Sequence, residues 1–397
     1  MKTLNDISLE NKVCLTRVDF NSPLDEKKEL LDITRIKAHA TTIQFIADHK
    51  GKAVIIAHQG RLGSSDFSTM GPHTKALQNL LGPKYSVHYI DKTHGSEVEE
   101  YIFNMKPGEI LILENVRILK SETDEKSPEE HSKSEYIKSL AKVGDIFIND
   151  AFSAAHRSHA SLVGFTPLMP SIAGLVMADE IKNLQRVVKN PKKPCIFVLG
   201  GIKPEDSFKV AKYVLENDIA TSVLTGGIIS QIVMIAKGFD LGKPSTDFLK
   251  KKDLLKFVEP AKELLQEYES RLMGNSDFAV NENGRRVYSI RDLPLNFPIL
   301  DIGTETIQHF SEIIENSATC VLNGPMGKFE EKGFEIGTIE IFKAMERSKG
   351  FSLAGGGHSV SVIEKNDIKL SYVSTAGGAM ISFLMGEPLP AISALSN

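Results

Sequence analysis

Residues 13–57 decide the fold class, because they contain the run VCLTRV (Val13–Val18), a helical pattern over Ile33–Asp48 and the run AVIIA (Ala53–Ala57). Both runs are nearly continuous in apolar residues, which is typical of strands that are buried on both faces of a parallel sheet. A helical stretch between two such runs predicts a β–α–β unit.

The same alternation recurs along the chain. Further short runs of this kind are Ile110–Leu113, Ile146–Ile148, Ile196–Leu199, Val223–Leu224, Cys320–Leu322 and Ser352–Ala354. One stretch departs from it, because Asp277–Val280 and Arg285–Ile290 alternate in polarity on either side of Asn283-Gly284. An Asn-Gly pair between alternating runs predicts an antiparallel hairpin. We therefore expect an α/β protein with parallel sheets and one hairpin.

Size and composition predict a soluble protein of more than one domain. The chain has 397 residues, of which 41% are hydrophobic and 25% charged, and about 150 residues per domain gives two to three domains. The net charge of −4 predicts no nucleic-acid partner. Three widely spaced cysteines argue against disulfides and indicate a reducing compartment. Without a long apolar run or a signal-peptide pattern, we expect a cytoplasmic protein with no membrane partner.

Three segments carry more local expectations. The proline-rich stretch Thr166–Gly174 precedes a helical pattern, Leu175–Asn190, and is the candidate domain boundary. Ser121–Glu135 is dense in charge and predicts a solvated loop or helix face. Lys250–Arg271 predicts an amphipathic helix that Pro260 kinks or divides in two.

In the first half of the chain, the predicted strand ends carry cations and polar side chains. Ligands bind beyond the carboxyl ends of parallel strands, and the arginine fork binds phosphate and carboxylate groups bidentately. One such cation is typical of a surface ion pair, but a series at consecutive strand ends predicts an anion site. The residues at these ends, with one from the following helix, are Arg17, Asp19, Asn21, Arg35, His58, Gln59, Gly60, Arg61, Arg117, His156, Arg157 and His159.

In the second half, the predicted strand ends carry glycines. A glycine at a strand-to-helix turn lets backbone N–H groups approach a phosphate closely. A series of such turns predicts a nucleotide platform, and together the two halves predict phosphoryl transfer across an interdomain cleft. The turns are Gly200-Gly201, Gly226-Gly227, Asn323–Gly327, Gly355–His358 and Ser374–Gly378.

The ordered motifs resemble those of phosphoglycerate kinases over about residues 10–380. They are RVDFNSP, DITRI, AHQGR, LENVR, NDAFSAAHRSHAS, GGIKPEDS, NGPMGKFE, AGGGHS and STAGGA. The short length and the histidine after GGG are similar to the archaeal branch of that family.

The resemblance implies two doubly wound, Rossmann-like parallel-sheet domains that are joined by a helix and bend at a hinge. Residues 1–170 would form an N-terminal domain that binds 3-phosphoglycerate, with the tail 380–397 packed back on it. Residues 171–379 would form the C-terminal nucleotide-binding domain, including the interdomain helix. Hinges are expected near Thr166–Gly174 and where the chain returns after Ser374.

The resemblance also implies an activity, which is reversible phosphoryl transfer between 1,3-bisphosphoglycerate and ADP, giving 3-phosphoglycerate and ATP, with Mg²⁺ on the nucleotide. Arg35 and Lys203 would be the catalytic residues. The residues implied to bind the phosphoglycerate are Asp19, Asn21, Arg35, His58, Gln59, Gly60, Arg61, Arg117 and Arg157. Those implied to bind the nucleotide are Gly200, Gly201, Lys203, Gly226, Asn323, Glu330, Gly355, Gly356, Gly357 and His358, with Glu330 on the ribose hydroxyls.

Elementary chemistry agrees with this activity. The acceptor is a carboxylate or a phosphate oxygen and is already an anion at pH 7, so no general base is required. What remains for the protein is positioning and charge neutralisation.

The chain departs from the family pattern at two functional positions. His358 replaces the aspartate that usually follows GGG and is associated with the metal–nucleotide, so no protein ligand of Mg²⁺ is assigned. Ser207 replaces the second lysine that many members carry, and Lys209 is the candidate for the missing cation. STAGGA in place of STGGGA is a minor change.

Two other functions remain as alternatives. An NAD-dependent dehydrogenase would need the G-x-G-x-x-G pattern, which the sequence lacks. A non-catalytic binding protein would explain His358 and Ser207. A zinc site at His156 and His159 is disfavoured because no further ligand follows at a suitable spacing. Both a monomer and a homodimer remain open.

Overall fold

A computed structural model describes residues 1–396, except for the side chain of His358. The chain divides into two compact units, which are unit 1 (Met1–Lys182 and the residues from Pro388 on) and unit 2 (Asn183–Glu387). None of the helices in the part of the chain that the structure describes is both long and apolar enough to span a bilayer.

Unit 1 is built on a six-stranded parallel sheet. Its strands are β1 (Val13–Arg17), β2 (Lys52–Ile56), β3 (Val87–Tyr89), β4 (Ile110–Ile112), β5 (Ile146–Asn149) and β6 (Ser171–Ala173), in the order β3-β4-β2-β1-β5-β6. Its helices are α1 (Thr34–Asp48), α2 (Gly71–Leu81), α3 (Ser96–Asn104), α4 (Pro128–His131), α5 (Glu135–Val143) and α6 (Ala160–Val163), and α7 (Leu175–Val188) begins in this unit.

Side chains of this sheet pack into two cores, one on each face. Cys14 and Ile55 belong to one core, whereas Leu15 and Val54 belong to the other. Because alternate residues of the central strands enter the two cores, these strands are largely apolar rather than alternating in polarity. The crossover connections run to both sides of β1, so the sheet is doubly wound. A ligand site is expected at the carboxyl ends of the strands on either side of β1.

Unit 2 contains two sheets. Its strands are β7 (Cys195–Leu199), β8 (Ser222–Thr225), β9 (Leu272–Met273), β10 (Asp277–Asn281), β11 (Arg285–Ser289), β12 (Ile299–Ile302), β13 (Thr319–Asn323), β14 (Phe351–Gly355) and β15 (Tyr372–Ser374). Six of them form a doubly wound parallel sheet in the order β15-β14-β13-β7-β8-β9. The other three form an antiparallel sheet in the order β11-β10-β12.

The helices of unit 2 are α8 (Pro204–Glu216), α9 (Gly227–Ala236), α10 (Lys243–Lys251), α11 (Val258–Tyr268), α12 (Thr304–Glu315), α13 (Ile336–Arg347), α14 (Gly357–Lys365) and α15 (Gly378–Leu384). The last helix, α16 (Pro390–Leu395), belongs to unit 1, where the Ala391 N–H donates to the Ala155 carbonyl over 3.1 Å. Short 3₁₀ turns occur at Leu4–Asp6, Val116–Ile118, Lys120–Thr123, Phe152–Ala154, Leu255–Phe257 and Ile290–Asp292.

The two parallel-sheet domains expected from the sequence are confirmed, and so is the hairpin. Asn283 and Gly284 have φ values of 55° and 118° in the three-residue connection between β10 and β11, and positive φ is the conformation that an Asn-Gly pair tolerates in hairpins. The stretch around Pro260 is divided rather than kinked, because α10 ends at Lys251 and α11 begins at Val258. Pro260 lies in the first turn of α11, where its missing N–H costs nothing.

The unit boundary lies inside α7 rather than at the proline-rich stretch before it. The first turn of α7 is bound to unit 1, because Leu175 N–H donates to Thr42 Oγ1 and Val176 N–H to Asp150 Oδ1. At the other end of the chain, α15 packs on α8 within unit 2, so unit 1 resumes at Pro388 rather than at residue 380.

Candidate active site

A cavity of about 490 Å³ lies beside the loops that follow β2, β4 and β5. Its lining is rich in cationic and imidazole side chains, and the residues are Arg61, Leu62, Arg117, Leu119, Lys120, Thr123, Glu125, Arg157 and His159. Three arginines that the sequence assigned to the phosphoglycerate site therefore meet around one space. A concentration of guanidinium groups in a partly enclosed cavity suits a small polyanion.

The loop after β1 supplies Asp19 and an ion pair with Arg35. Asp19 is 3% exposed and accepts hydrogen bonds from Arg35 Nη1, from the Ser153 hydroxyl and, over 3.0 Å, from the Asn21 N–H. Burial alone would raise the pKa of Asp19, but the charge of Arg35 holds it below its usual range, so Asp19 is ionised. The side chain of Arg35 is still 33% exposed in the first turn of α1.

The loops after β1, β2 and β4 are bonded to one another through Gly60. Its N–H donates to Asn21 Oδ1 over 2.8 Å, and its carbonyl accepts from Arg117 Nη1 over 2.5 Å. Gly60 has φ of +65°, and a Cβ there would lie 2.4 Å from the Asp66 carbonyl. Only glycine fits this position without moving the loop that aligns Arg117.

Gln59 has a different place from the one its motif suggested. Its Oε1 accepts from the Ser22 N–H at 2.9 Å and lies 3.0 Å from His73 Nε2, while its Nε2 donates to the carbonyls of Ser22 and Asp66. These four bonds use every donor and acceptor site of the side-chain amide. We therefore reassign Gln59 from contacting the substrate to holding the two loops together.

His58 and Arg17 lie buried beneath this region, at 6% and 2% exposure, with Arg17 Nη2 2.9 Å from His58 Nδ1. Burial, followed by the charge of Arg17, lowers the pKa of His58 well below its usual value, so this histidine is neutral. Burial also lowers the pKa of Arg17.

Glu122 is a buried acidic residue of this region that the sequence did not indicate. It lies in the stretch Ser121–Glu135 that was predicted to be solvated, yet Glu122 is 1% exposed. Its carboxylate accepts from the Ser161 hydroxyl at 2.6 Å and from the Ser161 N–H at 2.9 Å. Burial raises the pKa of Glu122 to about 7, although Arg17 and Ser161 act in the opposite direction. Nothing in a local charge pattern distinguishes this glutamate from its exposed neighbours.

Glu122→Gln should change how stability depends on pH. The folded-state pKa of about 7 lies above the unfolded value near 4.5, so the folded state binds more protons between those values. The stability that the protonated carboxyl of Glu122 gives the folded state is fully present below pH 4.5 and is lost as the pH rises through 7. Relative to Glu122→Gln, the wild type should lose about 2–3 kcal/mol of unfolding free energy between pH 5 and pH 8. Urea denaturation at both pH values tests this, and parallel profiles for the two proteins would contradict it.

His156 and His159 hold no recognisable metal site. No group of three potential metal-binding side chains of the His, Cys, Asp and Glu types occurs among the residues that the structure describes. Burial, followed by the charge of Arg157, lowers the pKa of His159 to about 3. His159 is therefore a neutral part of the cavity wall.

The glycine turns of unit 2 join the loops after β7, β8 and β13. The N–H of Gly200 donates to the Asn323 carbonyl at 2.9 Å, and that of Gly201 to the Pro325 carbonyl at 2.7 Å. The N–H of Gly226 donates to the Leu199 carbonyl, also at 2.9 Å. A Cβ on Gly200 would lie 2.2 Å from the Pro325 carbonyl oxygen.

These contacts correct the expected role of three glycines. Gly200, Gly201 and Gly226 were expected to offer N–H groups to phosphates, but those groups are already bonded to backbone carbonyls at the ends of neighbouring strands or in the loop after β13. The glycines serve instead to bring three loops into close contact.

A second cavity, of about 410 Å³, lies over these loops and has a largely apolar wall. Its lining includes two of the predicted nucleotide residues, Gly201 and Glu330, and the other members are Ile202, Gly227, Ile228, Gln231, Ser245, Phe248, Pro298, Ile299, Leu300, Pro325, Gly327 and Lys328. Glu330 is exposed, whereas Gln231 and Ser245 are buried. Such a wall suits a purine ring and Glu330 suits sugar hydroxyls. Phe248, which is 44% exposed, was missed because nothing near it in the sequence marks a ligand.

The glycines after β14 lie next to Asn323. Asn323 is paired with Gly355 across β13 and β14, and a Cβ on Gly356 would lie 3.4 Å from Asn323 Oδ1. Helix α14 begins at Gly357, and the backbone bond from Val360 N to Gly356 O is its first. The N–H groups before Val360 thus have no partner within the helix, and such groups at a helix N-terminus can bind an anion. The side chain of His358 lies outside what the structure describes.

Lys203 precedes α8 and is exposed, in the loop after β7. The suggested replacement for a second lysine is wrong, since Lys209 bonds Glu205 one turn back at 2.9 Å and lines a separate groove between α8 and α11. Ser207 is 2% exposed in the core side of α8. Neither Ser207 nor Lys209 therefore supplies the positive charge of the missing second lysine.

Comparisons with known proteins agree with the motifs. The family model described as phosphoglycerate kinase matches residues 4–387. A phosphoglycerate kinase of Methanobacterium bryantii is 42% identical over 399 residues, covering 100% of this chain and 97% of the relative. One of Pyrococcus abyssi is 41% identical over 401 residues, with the same coverage of both chains.

Solved structures give the same result. The crystal structure of phosphoglycerate kinase from Pyrococcus horikoshii OT3 matches with a TM-score of 0.92 and 41% identity, covering 100% of this chain and 98% of the other. The enzyme structure from Coxiella burnetii matches over the same shares with a TM-score of 0.84 and 28% identity. By a family model and relatives that span its whole length, this chain belongs to the phosphoglycerate kinase family.

Proposed function

We propose that this protein transfers a phosphoryl group reversibly between 1,3-bisphosphoglycerate and ADP, forming 3-phosphoglycerate and ATP. The observation that carries the proposal is that unit 1 has a cation-lined cavity, while unit 2 has an apolar cavity and, at the start of α14, a helix N-terminus without a side-chain cap. The first suits a small polyanion and the second suits a nucleotide. Membership of the phosphoglycerate kinase family supports this pairing of substrates.

In unit 1, the phosphoglycerate would be bound by the guanidinium groups of Arg61, Arg117 and Arg157. Asp19 and Asn21 would align the loops and Arg35, since each is bonded to a neighbouring site residue. Neutral His58 would donate an N–H to the substrate. These contacts neutralise the substrate's charge without protonating or deprotonating it.

In unit 2, the base would lie in the apolar cavity and the ribose hydroxyls at Glu330. The phosphates would bind at the N-terminus of α14, through the backbone of Gly356, Gly357 and His358, with Gly355 and Asn323 supporting that turn. Lys203 would contact the phosphates and the group in transfer. The N–H groups of Gly200, Gly201 and Gly226 would hold the platform together rather than bind phosphate.

Mg²⁺ would enter as part of the metal–nucleotide substrate. The described residues include no cluster of three acidic or imidazole ligands, which fits a Mg²⁺ that is held by phosphate oxygens and water. The ion would neutralise phosphate charge. The chain's own part is to position both substrates and to exclude water while Arg35 and Lys203 stabilise the transferring group.

A coupled assay of ATP formation from 1,3-bisphosphoglycerate and Mg-ADP tests the proposal directly. Turnover is expected, together with the reverse reaction from 3-phosphoglycerate and Mg-ATP. Binding of both substrates without turnover would favour a non-catalytic binding protein. Nicotinamide-dependent hydride transfer would favour the dehydrogenase alternative. We further propose a cytoplasmic enzyme that acts as a monomer or homodimer.

Catalysis should require the two units to close on each other, because the proposed substrate sites belong to different units and transfer needs the reacting atoms within about 3–3.5 Å. Either ligand alone contacts one unit and has little preference for a closed state. Solution scattering should therefore show a smaller radius of gyration with 3-phosphoglycerate plus a Mg-nucleotide than with either one. Equal compaction by one saturating ligand and by both would contradict two-ligand closure.

A further inference from the structure

A buried chain of hydrogen bonds runs beneath the anion cavity. The Ser161 hydroxyl donates to Glu122 Oε1 at 2.6 Å and accepts from Arg17 Nε at 2.8 Å. Arg17 then contacts His58, with Nη2 2.9 Å from Nδ1. All four residues are buried, from Ser161 at 0% to His58 at 6% exposure. The substrate site explains His58, but it does not explain the other three.

Chemistry fixes the direction of the last bond. A guanidinium group has only donors, so Nδ1 of His58 must accept and carries no proton. A neutral imidazole then has its proton on Nε2. Arg17 cannot leave this arrangement cheaply, because its Nη1 also donates to the Val18 carbonyl and its Nε to Ser161.

We propose that Arg17 is a positioning residue that holds His58 in the neutral tautomer with its proton on Nε2. That tautomer presents an N–H donor to an oxygen of the phosphoglycerate, whereas the opposite tautomer would present a lone pair to an anion. Ser161 holds Arg17 in place, and Glu122 in turn holds Ser161. The identity of the acceptor rests on the proposed function, but the tautomer of the free protein does not.

The wild-type protein tests the tautomer without any substrate. Nitrogen-15 NMR of the histidine rings, with His58 assigned by its loss in His58→Gln, should show an unprotonated Nδ1 and a protonated Nε2 from pH 6 to pH 8. A proton on Nδ1, or a charged ring at pH 7, would overturn the proposal. This result is independent of whether the protein transfers phosphate.

Arg17→Lys tests the control by Arg17. The lysine keeps a positive charge, but a single ammonium cannot make the three bonds at once. We expect mixed His58 tautomers and a KM for 3-phosphoglycerate that is higher by about tenfold, with kcat and the nucleotide KM nearly unchanged. A merely structural role would lower the active fraction and leave KM and the His58 resonances unmoved. That outcome would contradict the proposal.

A pair of variants at His58 keeps the idea testable if Arg17→Lys does not fold. The amide nitrogen of glutamine reaches the position of Nε2, while that of asparagine reaches the position of Nδ1. His58→Gln should therefore retain tighter binding of 3-phosphoglycerate than His58→Asn does. Equal binding, or tighter binding by His58→Asn, would show that the Nε2 donor is not what the substrate uses.

Discussion

Arg35→Ala is expected to lower kcat for phosphoryl transfer by about 10³-fold, the usual effect of removing a charge-stabilising arginine. Arg35 is in the first turn of α1 and is held by Asp19, yet a third of its side chain is exposed. It can thus contact a bound group while Asp19 fixes its position. Steady-state kinetics in both directions measure the change.

Two other variants make that result interpretable. Arg35→Lys should recover only part of the rate, because the ammonium lacks the fork that spans two oxygens. Lys37→Ala removes an exposed cation from the same helix turn and should leave kcat unchanged. A kcat near the wild-type value in Arg35→Ala would exclude the catalytic role of Arg35.

The elements that the sequence predicted well are those whose signals are local. Nearly continuous apolar runs such as Val13–Val18 predicted parallel strands, because both faces of those strands enter a core. Asn283-Gly284 predicted the hairpin, because both residues must adopt positive φ. Neither conclusion required knowing what the rest of the chain does.

The elements that the sequence missed depend on distant partners. Glu122 is as polar as its neighbours, and its burial is stabilised by hydrogen bonds from Ser161 and by the charges of Arg17 and Arg117. The unit boundary lies inside α7 because Thr42 and Asp150 bind the start of that helix. The spacing of residues in the sequence does not reveal either of these long-range contacts.

The candidate site divides in the same way. Cations at strand ends were predicted to meet, since parallel strands bring their carboxyl ends together, and Arg61, Arg117 and Arg157 do line one cavity. The sequence does not show, however, whether a glycine N–H is free to bind a phosphate. Gly200 donates to the carbonyl of the last residue of β13, and Gly201 donates to a carbonyl of the loop after it. These contacts exist only once the sheet has folded.

The loop that carries Lys328 and Glu330 is anchored in part by an ion pair whose carboxylate is fully buried, and removing its cation should have the largest effect on stability. Arg285 Nη1 donates to Asp301 Oδ2 at 2.7 Å and to the Gly333 carbonyl at 3.0 Å. Asp301 Oδ2 also accepts the Gly337 N–H at 2.8 Å, and its side chain is fully buried. The pair thus joins β11 and β12 to both ends of the segment 333–337.

Arg285→Met should cost about 3–5 kcal/mol of unfolding free energy, because it leaves a buried carboxylate without its cation. Burial raises the pKa of Asp301 to about 6 even though the Gly337 N–H and Arg285 oppose it. Without Arg285 that pKa should rise further, so the cost should grow as the pH increases from 5 to 8. The nucleotide KM should rise by about tenfold as the loop shifts, whereas the 3-phosphoglycerate KM, which depends on unit 1, should not change.

The adjacent residue provides a matched control, since Arg286 is exposed. Arg286→Met should therefore change stability by less than about 0.5 kcal/mol. Adding Asp301→Asn to Arg285→Met should recover part of the lost stability, because it removes the uncompensated charge. Urea denaturation of the four proteins, at pH 5 and pH 8, separates these effects. If Arg285→Met were as stable as Arg286→Met and bound nucleotide normally, the ion pair would not anchor the loop. Other contacts, such as the hydrogen bond from the Lys328 N–H to the Leu300 carbonyl over 2.7 Å, would then be enough to position Glu330.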